Sequence, residues 1–586
     1  MSVMRRINFK PIALFVGVAV LLSGCSGLNK MKKNADQINF KVTPEVLEAH
    51  ASEVAVAIDT RFPAKYFNKK VTLTATPVLK YDGGETAYNP VSVQGESVEA
   101  NNKVISYTGG SVNYKDAVAY DKAMAKSELY VNIKATQGAK SVDFEPIKVA
   151  DGVIATSEKV IMIPKAILGV VREANNSGKY DPNIDAFMRI VPDEMTADIK
   201  YLINRSNIRR DEISKSEVTA LEDYTKKANE DERIDLKDVE VSAYASPDGT
   251  IDLNLDLAAK RKETSSAFLA KKLKEAGIDV KLKTKYTPED WDGFKTLLEQ
   301  SNIKDKELIL RVLSMYNDPE VREREIRNLS ETFNEVADEI LPQLRRAKMT
   351  TSVDMIGKTD EELKAAAKAD PASLNPAELL YAATLFQDLN EQLSVYDAFM
   401  EVYPNDWRGP NNAGYVMVQQ YKYADAKPLF EKAEKLANNE PIVKNNVGAV
   451  TLTEGDVDAA EALFGAAAGA GDAVNYNMGI VSVKKAEYDR AVQYFNRFAD
   501  VNSGLAKLLA GNNNGAVKDL DACTIEGCYM TEYFKAVIGA RTAKESLLFD
   551  SLKTAVEMNA GLKEVAKTDM EFAKYFDNAK FKAIVD

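Results

Sequence analysis

Residues 411–436 read NNAGYVMVQQYKYADAKPLFEKAEKL, and residues 445–470 read NNVGAVTLTEGDVDAAEALFGAAAGA. Gly414, Ala426, Phe430 and Ala433 in the first stretch recur 34 residues on as Gly448, Ala460, Phe464 and Ala467, and 31 further as Gly479, Ala491, Phe495 and Phe498. Ala383, Val395, Phe399 and Val402 form a looser copy upstream. A period of this length is that of a two-helix unit that cannot bury its apolar face alone. The small residue lets the two helices approach, the Phe fills the gap between units, and the Ala keeps the next helix tight. Residues 360–586 are therefore expected to form an all-α solenoid, with Thr531–Ala543 and Glu545–Asn559 as degraded units.

The pattern resembles tetratricopeptide repeats. It departs from them at the fourth position of the unit, where Pro410, Lys444 and Asn475 replace a large apolar residue. The resemblance implies a concave groove lined by the first helix of each pair. Asn412, Asn446 and Asn477 share one position on those helices, with Asn411, Asn445 and Tyr476 beside them. An amide offers both donors and an acceptor. These asparagines are either a ladder for an extended peptide backbone or plain polar positions on an exposed face.

The other end of the chain sets the compartment. Arg5, Arg6 and Lys10 precede an apolar run, Ile12–Leu22, too short to span a bilayer and suited to a secretory signal. The run ends in Leu22-Ser23-Gly24-Cys25, which resembles the lipobox of bacterial lipoproteins. The resemblance implies a signal peptide over 1–24, cleavage before Cys25 and lipidation of Cys25, with several acyl chains giving stable anchoring. Residues 25–39 read as a short basic tether. They lack the acidic patch of surface-exported lipoproteins of the Bacteroidetes, so a periplasm-facing outer-membrane lipoprotein is expected.

Residues 40–190 are strand-rich. Val71–Thr76 and Leu129–Lys134 alternate in polarity, and Asp-Gly, Gly-Gly and Asn-Asn turns break the runs. A small β-sandwich-like module follows, structural or adhesive. Over 195–357, strands are expected at Ala197–Asn204, Val239–Tyr244, Val280–Thr284 and Ala347–Ile356, with helices at Lys215–Ala228 and Leu253–Ala276, the second ended by Gly277.

Residues 244–261, YASPDGTIDLNLDLAAKR, resemble the core motif of the OmpA-like, peptidoglycan-binding α/β domain. Asn254, Leu257 and Arg261 fall at its N-x-x-L-x-x-x-R spacing, Arg345-Arg346 resembles its ending, and Trp291–Asp338 reads as a helical insertion. The resemblance implies a site for the diaminopimelate of a peptide stem, Arg261 pairing with its carboxylate and an Asp taking its ammonium. Ser246 stands where that Asp belongs. Asp248 lies two residues on and could substitute, or the module is degenerate and purely structural.

Composition narrows the chemistry. The formal charge is −12, and removing the three leader cations takes it to −15, which argues against a nucleic-acid partner. One histidine, His50, in 586 residues leaves little for acid/base or metal chemistry, and it reads as an ordinary surface or interface residue. Cys523 and Cys528, in CTIEGC, are candidates for a local disulfide, with two reduced thiols as the alternative. Nucleophile-elbow, P-loop, HExxH and dinucleotide motifs are absent. The expectation is a multidomain α+β protein with no enzymatic activity, cofactor or metal. It would be an envelope scaffold binding proteins or peptides through its repeats, or a peptidoglycan tether, or an accessory of an outer-membrane assembly or secretion complex.

Overall fold

The computed structural model describes residues 26–169, 172–173, 186–437, 439–525 and 527–586; the expected signal peptide and Cys25 lie outside them. The chain forms two compact units, Met1–Leu168 with Pro410–Asp586, and Gly169–Gly409.

The first unit begins with a helix, Ser26–Lys33, where a tether was expected. Leu28 and Met31, three apart, are buried in the core of the following module, and the Tyr66 hydroxyl donates to the Met31 carbonyl at 3.0 Å. An apolar pair at helical spacing thus folds this segment onto the protein.

Eleven strands follow: β1 (Asn39–Thr43), β2 (Val46–His50), β3 (Glu53–Phe62), β4 (Thr72–Tyr81), β5 (Gly84–Ala87), β6 (Val91–Gly95), β7 (Lys103–Ile105), β8 (Gly110–Ala119), β9 (Ser127–Gln137), β10 (Lys140–Asp143) and β11 (Ile147–Ile154). They form one curled sheet, in the order β1-β3-β2-β11-β9-β4-β6-β7, where a two-sheet sandwich was expected. The reason is β2. It pairs with β3 on one side and runs parallel to β11 on the other, stitching the two halves together. Alternation then does the rest. Val54, Val56, Ile58 and Phe62 of β3 and Leu129, Val131, Ile133 and Ala135 of β9 all turn into one apolar core.

The strands of this module stop at Ile154, well short of the expected boundary at 190. Residues 160–169 have no regular structure and run along the solenoid, described below.

The solenoid of the first unit is all-helical and consistent with tetratricopeptide-like repeats. Its pairs are Arg408–Gln419 with Tyr423–Leu436, Pro441–Thr453 with Val457–Ala466, Asp472–Lys484 with Tyr488–Tyr494, Val501–Leu509 with Asn513–Asp521, and Tyr529–Arg541 with Glu545–Met558. The glycines do what their spacing implies. A Cβ on Gly414 would come within 2.6 Å of the Phe430 ring, on Gly448 within 2.8 Å of Phe464, and on Gly479 within 2.6 Å of Phe495. Each pair turns through one left-handed residue: Tyr421, Gly455, Ala486, Gly511 and Ala543, with φ of 59°, 94°, 59°, 81° and 52°. Tyr421 is 69% exposed, so its side chain gains little there. Left-handed backbone costs a non-glycine residue roughly 1–2 kcal/mol. Tyr421→Gly is expected to stabilise the solenoid by about 1 kcal/mol, read as a rise in the chemical-denaturation midpoint.

The second unit is an α/β layer. Its four-stranded sheet has the order Ile190–Lys200, Arg346–Ile356, Ile234–Tyr244, Leu282–Thr287, antiparallel except for the last, parallel pair. Helices Ser216–Glu230 and Ile251–Glu275 cover it through Val218, Leu221, Leu269 and Leu273. Helices between Trp291 and Leu344 carry a separate core around Phe294, Leu298 and Ile309. The helices from Asp360 to Val402, expected to open the solenoid, belong to this unit. Side-chain chemistry explains it: Arg189 pairs with Asp360 at 2.5 Å, Phe187 stacks on Tyr381 at 4.5 Å, and Arg233 pairs with Glu362 at 2.6 Å.

Candidate functional site

Asn412, Asn446 and Asn477 lie on the first helices of three successive pairs and are at most 1% exposed. Their surroundings are not solvent but residues 160–168 of the same chain, which occupy the groove.

The ladder works by pairs of bonds. The Ile167 amide donates to Asn446 Oδ1 at 2.6 Å, and Asn446 Nδ2 donates to the Ile167 carbonyl at 2.7 Å. Asn477 treats Lys165 likewise, at 2.7 and 2.8 Å. Asn502 treats Ile161 likewise, at 2.9 Å in both bonds. A side-chain amide has the donor and acceptor of a peptide group, so it satisfies both main-chain groups of one residue whatever its side chain. Two further asparagines add donors, Asn445 to the Lys165 carbonyl at 2.9 Å and Asn411 to the Ile167 carbonyl at 3.2 Å.

The amides also bond one another. Asn446 donates to Asn411 at 2.8 Å and Asn477 to Asn445 at 3.0 Å. Asn411 donates to Asn412 at 3.0 Å, so Asn412 supports the ladder from behind. Only one side chain of the bound segment is read by charge: the Lys165 ammonium lies 4.1 Å from the centre of Tyr476 and 4.5 Å from that of Phe498. Burial, with Asp500 close by, holds the Tyr476 phenol far above its usual range and therefore neutral.

Asn502 and the Lys165 site are absent from the sequence reading. A signal for Asn502 exists: Asn412, Asn446, Asn477 and Asn502 each stand two residues before the packing glycine or its equivalent, Gly414, Gly448, Gly479 and Gly504. No comparable signal marks 160–168, which carries neither strand alternation nor helix period.

Polar contacts extend this interface to the strand module. Lys159 pairs with the buried Asp569 at 3.0 Å, which also accepts from Tyr533 at 2.6 Å. Glu571 accepts from Thr156 at 2.5 Å and from Arg541 at 2.5 and 2.9 Å. Glu158 accepts from Ser52 and from Lys484, at 3.0 and 2.8 Å. His50 is an interface residue, with Nδ1 2.5 Å from the Tyr488 hydroxyl and Nε2 2.8 Å from Glu48.

The hydrogen bond from His50, assisted by the charge of Arg541, holds the Glu48 carboxyl below its ordinary value of 4.5 against the opposing effect of burial. A carboxylate with a lowered folded pKa contributes stability above its unfolded pKa and loses it as pH falls through the folded one. The unfolding temperature of the first unit should therefore drop on acidification below about pH 4.5, and drop less in Glu48→Gln.

The second candidate site is in the second unit. Arg261 is 1% exposed and spends its guanidinium on main-chain carbonyls: Tyr244 at 2.9 Å, Arg205 at 3.0 Å and Leu202 at 3.4 Å. It also lies 5.1 Å over Tyr201. Burial lowers its pKa to about 10, which leaves it charged at neutral pH. Asp248 is paired with Arg345 at 2.8 Å, and Ser246 sits between them, donating to Asp248 and accepting from Arg345 at 3.2 Å. Asn254 donates to the Gly249 carbonyl at 3.3 Å. The four residues singled out do share one corner of the fold, but its charges are already spent within the chain.

The disulfide expected between Cys523 and Cys528 is not formed. Cys528 packs against the solenoid core just ahead of helix Tyr529–Arg541. Among the described residues no group of three His, Cys, Asp or Glu could hold a metal ion, and no helix is long and apolar enough to cross a membrane.

No family model matches the chain, and no curated protein does. Solved structures with some likeness include a tetratricopeptide repeat protein from Parabacteroides merdae, at 17% identity over 36% of this chain and 91% of that one, with a TM-score of 0.28. The Cut9-Hcn1 hetero-tetramer of the APC/C matches at 11% over 56% and 67%, with a TM-score of 0.27. The human IFIT1 dimer with m7Gppp-AAAA matches at 12% over 64% and 89%, with a TM-score of 0.29. Scores this low carry no argument, and the repeat assignment rests on the helix pairs and glycine contacts above.

Proposed function

We propose that this chain is a non-enzymatic scaffold lipoprotein of a bacterial envelope, anchored through Cys25, whose business is binding polypeptide. The observation that supports this is the ladder: Asn446, Asn477 and Asn502 each take both main-chain groups of a residue in an extended segment. That is the chemistry of a polypeptide-binding surface. Residues 160–168 of the same chain fill the groove. With Leu28 and Met31 packed into the strand module, an acylated Cys25 would hold that module close against the membrane.

An OmpA-like second unit would place the scaffold near peptidoglycan. The tether alternative needs Asp248 for an ammonium and Arg261 for a carboxylate, and both are engaged. Sacculus sedimentation of the purified chain is therefore expected to leave it in the supernatant; sedimentation with the wall would favour the tether. The scaffold reading is tested by purifying the native protein in mild detergent with peptidoglycan digested in half the sample. Partner proteins that persist after digestion support it, and a solitary chain in both halves refutes it.

A further inference from the structure

We infer that the groove is a binding site for an extended, lysine-bearing segment whose resident is residues 160–168, and that this docking, rather than the covalent path through 169–409, holds the strand module on the solenoid. The inference rests on the groove being a polypeptide-binding surface, and it adds what the groove binds and what that binding achieves.

Three observations carry it. The first is that the groove is matched to its occupant. Asn411, Asn445, Asn446, Asn477 and Asn502 are at most 1% exposed, and each spends amide groups on the main chain of 161–167. The segment that covers these amides supplies a main-chain partner to each of them.

The second concerns register. In the segment the amides bond main chain alone, and they would accept a slipped segment as well. What distinguishes the registers is side-chain chemistry: the Lys165 ammonium over Tyr476 and Phe498, Val160 in the solenoid core, and Lys159 on Asp569. Lys165 is the only one of these that lies within the ladder itself.

The third is topological. The segment's last bonded residue, Ile167, touches Asn411 at 3.2 Å, so the chain leaves and re-enters this unit at one point. The path between the two crossings is itself a folded unit, so it tethers them whether or not the groove is filled, and the strength of the docking is read only once that path is cut.

The test cuts the link after folding. A protease site is inserted after Gly169 in the full chain, the folded protein is cleaved, and the products are run on size exclusion at micromolar concentration. The two fragments are expected to co-elute. In the cleaved protein, Lys165→Gln should raise their dissociation constant about tenfold and Lys165→Arg should restore most of it. Asn446→Ala with Asn477→Ala should separate the fragments.

Fragments that part at once overturn the inference, as does an unchanged dissociation constant in the ladder variants, which would assign the docking to the ionic contacts around Asp569 and Glu571. If the insertion disturbs folding, trypsin on the unaltered chain serves instead. Cleavage after Lys165 is expected to be slow in wild type and fast in the double asparagine variant, and rapid cleavage in wild type contradicts the docking. Neither assay involves a partner protein, so its outcome is separate from that of the detergent purification.

Discussion

Replacing Asn446 and Asn477 together by alanine is expected to destabilise the first unit by about 2–6 kcal/mol. The magnitude follows from which groups lose their partners. The carbonyls of Lys165 and Ile167 keep second donors, Asn445 and Asn411. Their N–H groups bond to Asn477 and Asn446 and would be left without those acceptors in a buried groove. Each such orphan costs about 1–3 kcal/mol. Asn411 and Asn445 would also be disturbed, since they accept from the two deleted amides. Differential scanning calorimetry should show a lowered transition for the first unit and an unshifted one for the second. A plain polar face would give changes within about 0.5 kcal/mol, as surface substitutions do.

Arg261→Leu is expected to cost the second unit about 3–5 kcal/mol, a large effect for a single surface-directed charge but not for a buried one. The guanidinium is the donor to the carbonyls of Leu202, Arg205 and Tyr244, tying the loop after Ile190–Lys200 and the end of strand Ile234–Tyr244 to helix Ile251–Glu275. Leucine removes those donors and leaves the carbonyls short of partners. Arg261→Lys should recover little, because an ammonium cannot reproduce the planar fork. The readout is the melting of the isolated transition of the second unit. It follows that Arg261→Ala is a poor probe of peptidoglycan binding: it would lose binding by unfolding the site. Arg345→Gln, which frees Asp248 while leaving Arg261 in place, separates the two effects.

Much of the architecture was legible where the physical signal is local. The helix ended by Gly277 and the strands at Val239–Tyr244 and Ala347–Ile356 begin and end within five residues of the observed elements, because period and turn chemistry fix them. The solenoid was legible from Gly414, Gly448 and Gly479, whose missing side chains admit Phe430, Phe464 and Phe495. What could not be read was long-range pairing. Nothing local in β2 announces that it joins β3 to β11 and turns a sandwich into one curled sheet. The helices from Asp360 to Val402 carry a repeat-like pattern, yet Arg189 and Phe187 draw them to the other unit.

The asparagines show the same division. Their spacing marked a groove, since it is set by helix geometry within each repeat. The occupant could not be found by spacing, because an amide ladder selects main chain and leaves no imprint on the sequence it binds. Residues 160–168 are apolar, bear one proline and one lysine, and have no period to display. The sequence marks Tyr476 only as an aromatic neighbour of the ladder; its role appears once Lys165 lies on it.

The groove holds the main chain of 161–167 through side-chain amides. Native-state hydrogen exchange of the intact protein measures that directly. The amides of Ile161, Lys165 and Ile167, which belong to no helix or strand, are predicted to exchange as slowly as those of the solenoid helices, and to become fast in the double asparagine variant. Exchange of these three amides at the rate of an open loop in the wild-type protein would contradict the account.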